Sequence, residues 1–195
     1  MPRRPTRSVP TVILHGWQGS PSPHWQAWLG DQLRDAGREV RFPQLPDADH
    51  PQPDRWLTAL GDTLAGLPDV GFDVVAHSLG SVLWLHHAVA ASGTPRPARV
   101  ALVAPVSPST DIAELASFFP VPLDVDAVRH AAEGTVLVAG DDDPYTPEGI
   151  ADAYARPLKM AATIVEGGGH LNVASGYGPW PQMLAWCNRD GLAFF

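Results

Sequence analysis

The chain has 195 residues, 45% hydrophobic and 17% charged, which suits one domain with a substantial core and argues against disorder. A formal net charge of -8 argues against non-specific nucleic-acid binding, which needs clustered Lys and Arg, and no apolar run approaches the roughly 20 residues of a membrane helix. The single cysteine, Cys187, excludes an internal disulfide and any cysteine-built zinc site.

The chain opens on a basic, proline-rich stretch with Arg3, Arg4 and Arg7 and no apolar h-region, so it does not read as a signal peptide. Residues 1–8 are expected to be a flexible segment, residues 9–195 a single domain, and the protein cytoplasmic. A first strand is predicted at 11–14, followed by His15-Gly16-Trp17-Gln18-Gly19, whose glycines permit a tight loop. Trp25, Trp28, Leu29 and Leu33 recur at i, i+3, i+4 and i+8, one apolar helical face. A strand at 39–42 precedes a helix opened by Pro53, with Trp56, Leu57, Leu60 and Leu64 inward. A third strand, 72–76, runs into Ala76-His77-Ser78-Leu79-Gly80, and residues 81–91 are apolar almost all round, as a buried central helix would be.

A fourth strand, 100–104, is followed by 105–126, with Phe118-Phe119-Pro120 and Pro122, where a minimal cap over an open pocket is expected. After a strand at 135–139 comes Gly140-Asp141-Asp142-Asp143-Pro144, and Thr146-Pro147-Glu148 has the form of an N-cap, a first-turn proline and a first-turn acid. After a strand at 163–165 comes Glu166-Gly167-Gly168-Gly169-His170, and Pro181 opens a last helix with Met183, Leu184 and Trp186. Strands alternating with helices imply an α/β fold: a roughly six-stranded, mainly parallel sheet with helices on both faces. Sites in such sheets lie at the carboxyl ends of the strands, where the chemically interesting residues here fall.

Ser78 sits between small residues, Ala76 and Gly80, as a serine on a sharp strand-to-helix elbow requires, although serine is also a favoured helix cap. The order Ser, Asp, His at successive strand ends is that of the α/β-hydrolase triad. A serine hydroxyl needs a base to take its proton, and a carboxylate fixes the tautomer of that base. His170 is the candidate base. Asp141, Asp142 and Asp143 all lie in the acid position, Asp141 and Asp142 reading more readily as solvated loop carboxylates. The backbone N–H groups of Trp17 and Leu79 are the expected oxyanion hole, and His15, Trp17 and Trp180 are candidates for the pocket wall. His77 is expected to pack or hydrogen-bond with its side chain away from the hydroxyl. The adjacent His86 and His87 face different sides of a helix, and no clustered ligand set occurs, so no metal or cofactor is expected. Gly167–Gly169 lacks the lysine and spacing of a phosphate loop and is read as positioning His170.

With these motifs in hand, the chain resembles a small member of the α/β-hydrolase superfamily. More narrowly, it is similar to the retinoblastoma-binding protein 9 and YdeN-like serine hydrolases. The matching pieces are His15-Gly16-Trp17, His24-Trp25-x-x-Trp28-Leu29, His77-Ser78-Leu79-Gly80, Asp142-Asp143-Pro144, Gly169-His170-Leu171-Asn172 and Ser175-Gly176-Tyr177-Gly178-Pro179-Trp180-Pro181. The resemblance implies Asp143, the aspartate before the proline, as the acid, and a compact hydrolase with little or no lid. The resulting expectation is a serine hydrolase that cleaves a small ester or related acyl substrate through Ser78, Asp143 and His170, with a small molecule as its partner and neither nucleic acid nor membrane. Two alternatives use the same residues: a triad-based lyase, and a binding module with an inert triad.

Overall fold

The structure, a computed structural model, describes residues 9–68, 71–90 and 95–189, so the expected flexible segment 1–8 lies outside the described residues. Six strands form one parallel sheet: β1 (Thr11–Leu14), β2 (Val40–Arg41), β3 (Asp73–His77), β4 (Arg99–Val103), β5 (Gly134–Gly140) and β6 (Ala162–Val165). Their order across the sheet is β2-β1-β3-β4-β5-β6, with β3 and β4 at the centre. Every pair is parallel, as the alternation of strands and helices predicts. The strands fall within two residues of their predicted bounds. β2 is the shortest, because only Thr11 and Val12 of β1 find partners on it.

Period-2 alternation sorts each central strand between two cores. Val12, Leu14, Val74, Ala76, Val100 and Leu102 face one side, against α2 (Pro53–Leu64), α3 (Leu79–Ala90) and α4 (Val125–Ala131). Ile13, Val75, Ala101 and Val103 face the other, against α1 (Trp25–Asp35) and α5 (Pro181–Asn188). Trp25, Trp56 and Trp84 are wholly buried, one on each of the three longest helices. Truncating any of them to alanine is expected to cost about 3–5 kcal/mol. Among the described residues no helix is long and apolar enough to cross a membrane.

Between β4 and α4 the chain carries only a short 3-10 helix, Ala113–Phe118, so the cap is as small as expected. One local prediction fails. Thr146 does not cap a helix: its hydroxyl donates to the Pro105 carbonyl at 2.9 Å, and residues 147–149 continue as turn and loop. A tertiary acceptor has taken the hydroxyl that the sequence signal assigned to a helix end. The turn of helix that follows is Ala151–Ala155, a π-helical segment.

Candidate active site

β3 delivers Ser78 at the carboxyl edge of the sheet, and α3 begins at the next residue. Ser78 has a φ of +56°, a left-handed conformation that side chains other than glycine rarely adopt. Two glycines permit this bend. A Cβ on Gly80 would stand 2.6 Å from the Leu14 and His15 carbonyl oxygens, and a Cβ on Gly16 2.7 Å from the Ser78 Cβ. The β1 loop and the elbow are therefore in backbone contact, and Ala76, wholly buried, is the small residue on the other side. The Ser78 N–H donates to the Val103 carbonyl at 2.9 Å, tying the bend to β4.

The Ser78 hydroxyl does not cap α3. It donates to His170 Nε2 at 2.9 Å, and His170 Nδ1–H in turn donates to the Asp143 carboxylate at 2.8 and 2.9 Å. Asp143 and His170 are each about 5% exposed and Ser78 is half-buried. Asp143 also accepts from the Tyr145 N–H at 2.8 Å, which fixes the carboxylate from its own loop. Serine, imidazole and carboxylate thus form one continuous hydrogen-bonded line from three strand ends.

The loops that carry the acid and the histidine are laced together in register. Asp141 accepts from Gly167 N–H at 2.8 Å, Asp142 from Gly169 N–H at 2.6 Å, and Asp143 from the His170 ring. Asp141 and Asp142 are exposed as expected, yet each grips the opposite loop, a role the sequence reading missed. Gly140 allows the approach: a Cβ there would lie 2.7 Å from the Gly169 nitrogen. Ser175 supports the histidine from beneath, its Oγ accepting from the His170 N–H at 3.1 Å while donating to Asn172. His77 Nε2–H donates to the His170 carbonyl at 2.9 Å, the hydrogen-bonding role expected of it.

Ser78 and His170 line a cavity of about 300 Å³, walled in addition by Trp17, His24, Val106, Leu115 and Val173. Tyr145, overlooked in the sequence, covers His170 at a ring separation of 4.4 Å. The described residues of the lining include no Asp, Glu, Lys or Arg. Burial holds His24 down at about 4 and His77 well below the ordinary histidine range, with the neighbouring histidines adding to the effect, so both are neutral at pH 7.

Two residues expected at the wall are elsewhere. His15 is 1% exposed and points behind the β1 loop, where Nδ1–H donates to Gly16 O and Nε2 accepts from Leu45 N–H; it faces a second cavity. Trp180 is 3% exposed and packs edge-on against Trp25 at 5.0 Å, under the histidine loop. Trp25 itself donates to the Leu171 carbonyl at 2.8 Å, so the pair supports that loop from the core. Among the described residues no group of three or more His, Cys, Asp and Glu side chains could hold a metal. Cys187 is a buried core residue whose thiol is pushed up to about 12, chiefly by burial, far from a nucleophile's range.

The serine hydrolase family profile matches residues 11–189. The chain is 25% identical to the YdeN protein of Bacillus subtilis (strain 168) over 170 residues, 87% of this chain and 89% of that one. The crystal structure of the B. subtilis ydeN gene product superposes with a TM-score of 0.76 at 22% identity, covering 92% of this chain and 97% of that chain. A carboxylesterase structure from Nitrososphaera gargenis shares the fold at a TM-score of 0.67 and 14% identity, covering 94% and 92% of the two chains.

Proposed function

Because the chain belongs to the serine hydrolase family, we propose that it cleaves a small ester or related acyl compound through Ser78, His170 and Asp143. The observation that carries this reading is the unbroken line of hydrogen bonds from Ser78 Oγ through both ring nitrogens of His170 to Asp143, at the wall of an open cavity. Ser78 Oγ attacks the substrate carbonyl and its proton passes to His170 Nε2. Asp143 holds the imidazole in the tautomer with Nδ1–H and stabilises the imidazolium that forms. As the tetrahedral intermediate collapses, the bond to the leaving alcohol breaks and His170 returns the proton to it. Water, deprotonated by His170, then releases the acyl group from Ser78.

The developing oxyanion is assigned to the N–H groups of Trp17 and Leu79. Leu79 opens α3, and first-turn N–H groups have no partner within their own helix. Loss of one such donor typically removes about 3–4 kcal/mol of transition-state stabilisation. The ester bond is our assignment, in line with the carboxylesterase chemistry reported for the archaeal neighbour of the same fold.

The test is covalent labelling with an alkyl fluorophosphonate, read by intact mass. The wild type should gain one adduct, and Ser78→Ala none. Equal labelling of the two proteins, or no labelling of a folded wild type, overturns the assignment.

A further inference from the structure

His24 is the N-cap of α1, and its Nδ1 accepts the Gln26 N–H at 3.1 Å. That bond settles the tautomer. A neutral imidazole whose Nδ1 accepts must carry its proton on Nε2. Burial, with smaller contributions from His170 and His15, holds the ring at about 4, so it is neutral near pH 7. Its Nε2–H meets no protein acceptor among the described residues, and the ring lines the cavity that holds Ser78. A hydrogen-bond donor in a site emptied of water by substrate needs an acceptor, because a buried unpaired donor carries the full cost of its desolvation.

The ring also stands close to the chemistry. The His24 and His77 rings are 5.0 Å apart, as are those of His77 and His170, and Tyr145 lies 4.4 Å from His170. The donor is separated from His170 by one intervening ring and opens onto the same cavity as Ser78, where the rest of a small substrate would lie. No charged side chain lines the cavity among the described residues, and the chain as a whole is strongly negative, so nothing there favours an anionic group.

We propose that His24 is a specificity residue whose Nε2–H donates to an uncharged oxygen acceptor, an ether or carbonyl oxygen, carried by the substrate some bonds away from the scissile carbonyl. This rests on the serine-hydrolase reading above and adds to it a substrate class: oxygenated, uncharged acyl esters rather than plain alkyl or carboxylate-bearing ones.

The experiment compares p-nitrophenyl pentanoate with analogues in which one chain methylene is replaced by oxygen at successive positions, and with a carboxylate-bearing ester of similar length. In the wild type one oxa position should raise kcat/KM about three- to tenfold over the all-carbon ester, the range of one hydrogen bond, and the carboxylate should fall below both. His24→Ser keeps an oxygen to cap α1 and His24→Phe keeps the ring; both should lose the oxa preference, mainly through KM. Fluorophosphonate labelling of Ser78 in the same samples reports the triad separately, so a lost preference with labelling retained supports the role of His24. In the unsubstituted protein, the His24 Nε2–H proton resonance should move downfield when an ether-bearing phosphonate occupies Ser78 and stay in place with its all-carbon counterpart. The proposal is overturned by a wild type that labels but prefers no oxa ester, by a carboxylate preference, by a preference that survives both substitutions, or by identical resonances with the two phosphonates. A folded wild type that does not label overturns the hydrolase reading and this proposal with it.

Discussion

The two ends of β3 each lead into a cluster of polar groups, and the two are built in opposite ways. At its amino end Asp73 is wholly buried and satisfied by its own chain: Arg99 forms a fork at 2.6 and 3.1 Å, Arg189 reaches it at 3.4 Å and Arg38 at 3.8 Å. Those arginines also bind the Val9, Trp186 and Cys187 carbonyls, tying β1 and α5 to the bottom of the sheet. At the carboxyl end Ser78 is held in a left-handed bend, and the hydrogen-bonded line that begins at its hydroxyl opens onto a cavity. One end of the strand uses charge to hold the fold, and the other uses fold to hold reactive groups in place.

The sharpest separation of the two ends is kinetic. Asp143→Asn should lower kcat about a thousandfold to ten-thousandfold while changing the melting temperature little, because the amide keeps the volume but not the tautomer control. Asp73→Asn should do the converse, leaving kcat of the folded protein near wild type while removing about 3 kcal/mol of stability, since buried ion partners lose their counter-charge. Urea titrations alongside steady-state kinetics measure both, and an Asp73 variant with a tenfold lower kcat would end the idea of a division of labour.

Acid should attack the ends unequally. His24 and His77 are held below the ordinary histidine value of 6.5 by burial, while the unfolded chain protonates near that value. The unfolded state then binds more protons below pH 6.5, so the stability these rings contribute is complete above 6.5 and falls as the pH drops towards about 4, where His24 itself titrates. For His24 on the order of 3 kcal/mol is at stake. Amide exchange at pH 7 and pH 5 should show protection lost first in the loops around Ser78; earlier loss around Asp73 would reverse the comparison. The smallest expected effect has the opposite sign. Ser78→Gly removes the nucleophile but relieves the positive φ, and should raise stability by about 1 kcal/mol. A lower melting temperature for that variant would mean that the bend is not strained.

The features that could be read from the sequence are those written locally. Each strand is a short run of its own composition, and the order of Ser78, an aspartate cluster and His170 after three such runs needs no knowledge of packing, whereas the choice of Asp143 within that cluster rests on the family resemblance. What escaped depends on chain segments far apart in sequence. Asp141 and Asp142 look like solvated carboxylates until β5 and β6 lie side by side and bring Gly167 and Gly169 opposite them. Asp73 begins an otherwise apolar strand, and nothing nearby announces that Arg38, Arg99 and Arg189 will converge on it. Trp180 stands close in sequence to the histidine loop, but its partner, Trp25, lies on the first helix, and that contact turns it into the core. Thr146 shows the same override at short range, a convincing cap signal yielding to a carbonyl on another loop.

The three consecutive aspartates after β5 have a practical meaning for anyone who alters this scaffold. Each is matched to a fixed partner on the facing loop, so the two loops behave as a paired cassette whose spacing is counted residue by residue. An insertion or deletion of one residue between Gly140 and Pro144 would shift which carboxylate faces His170. Exchanging either loop alone for one from a relative of different length breaks the match, whereas transplanting both together preserves it.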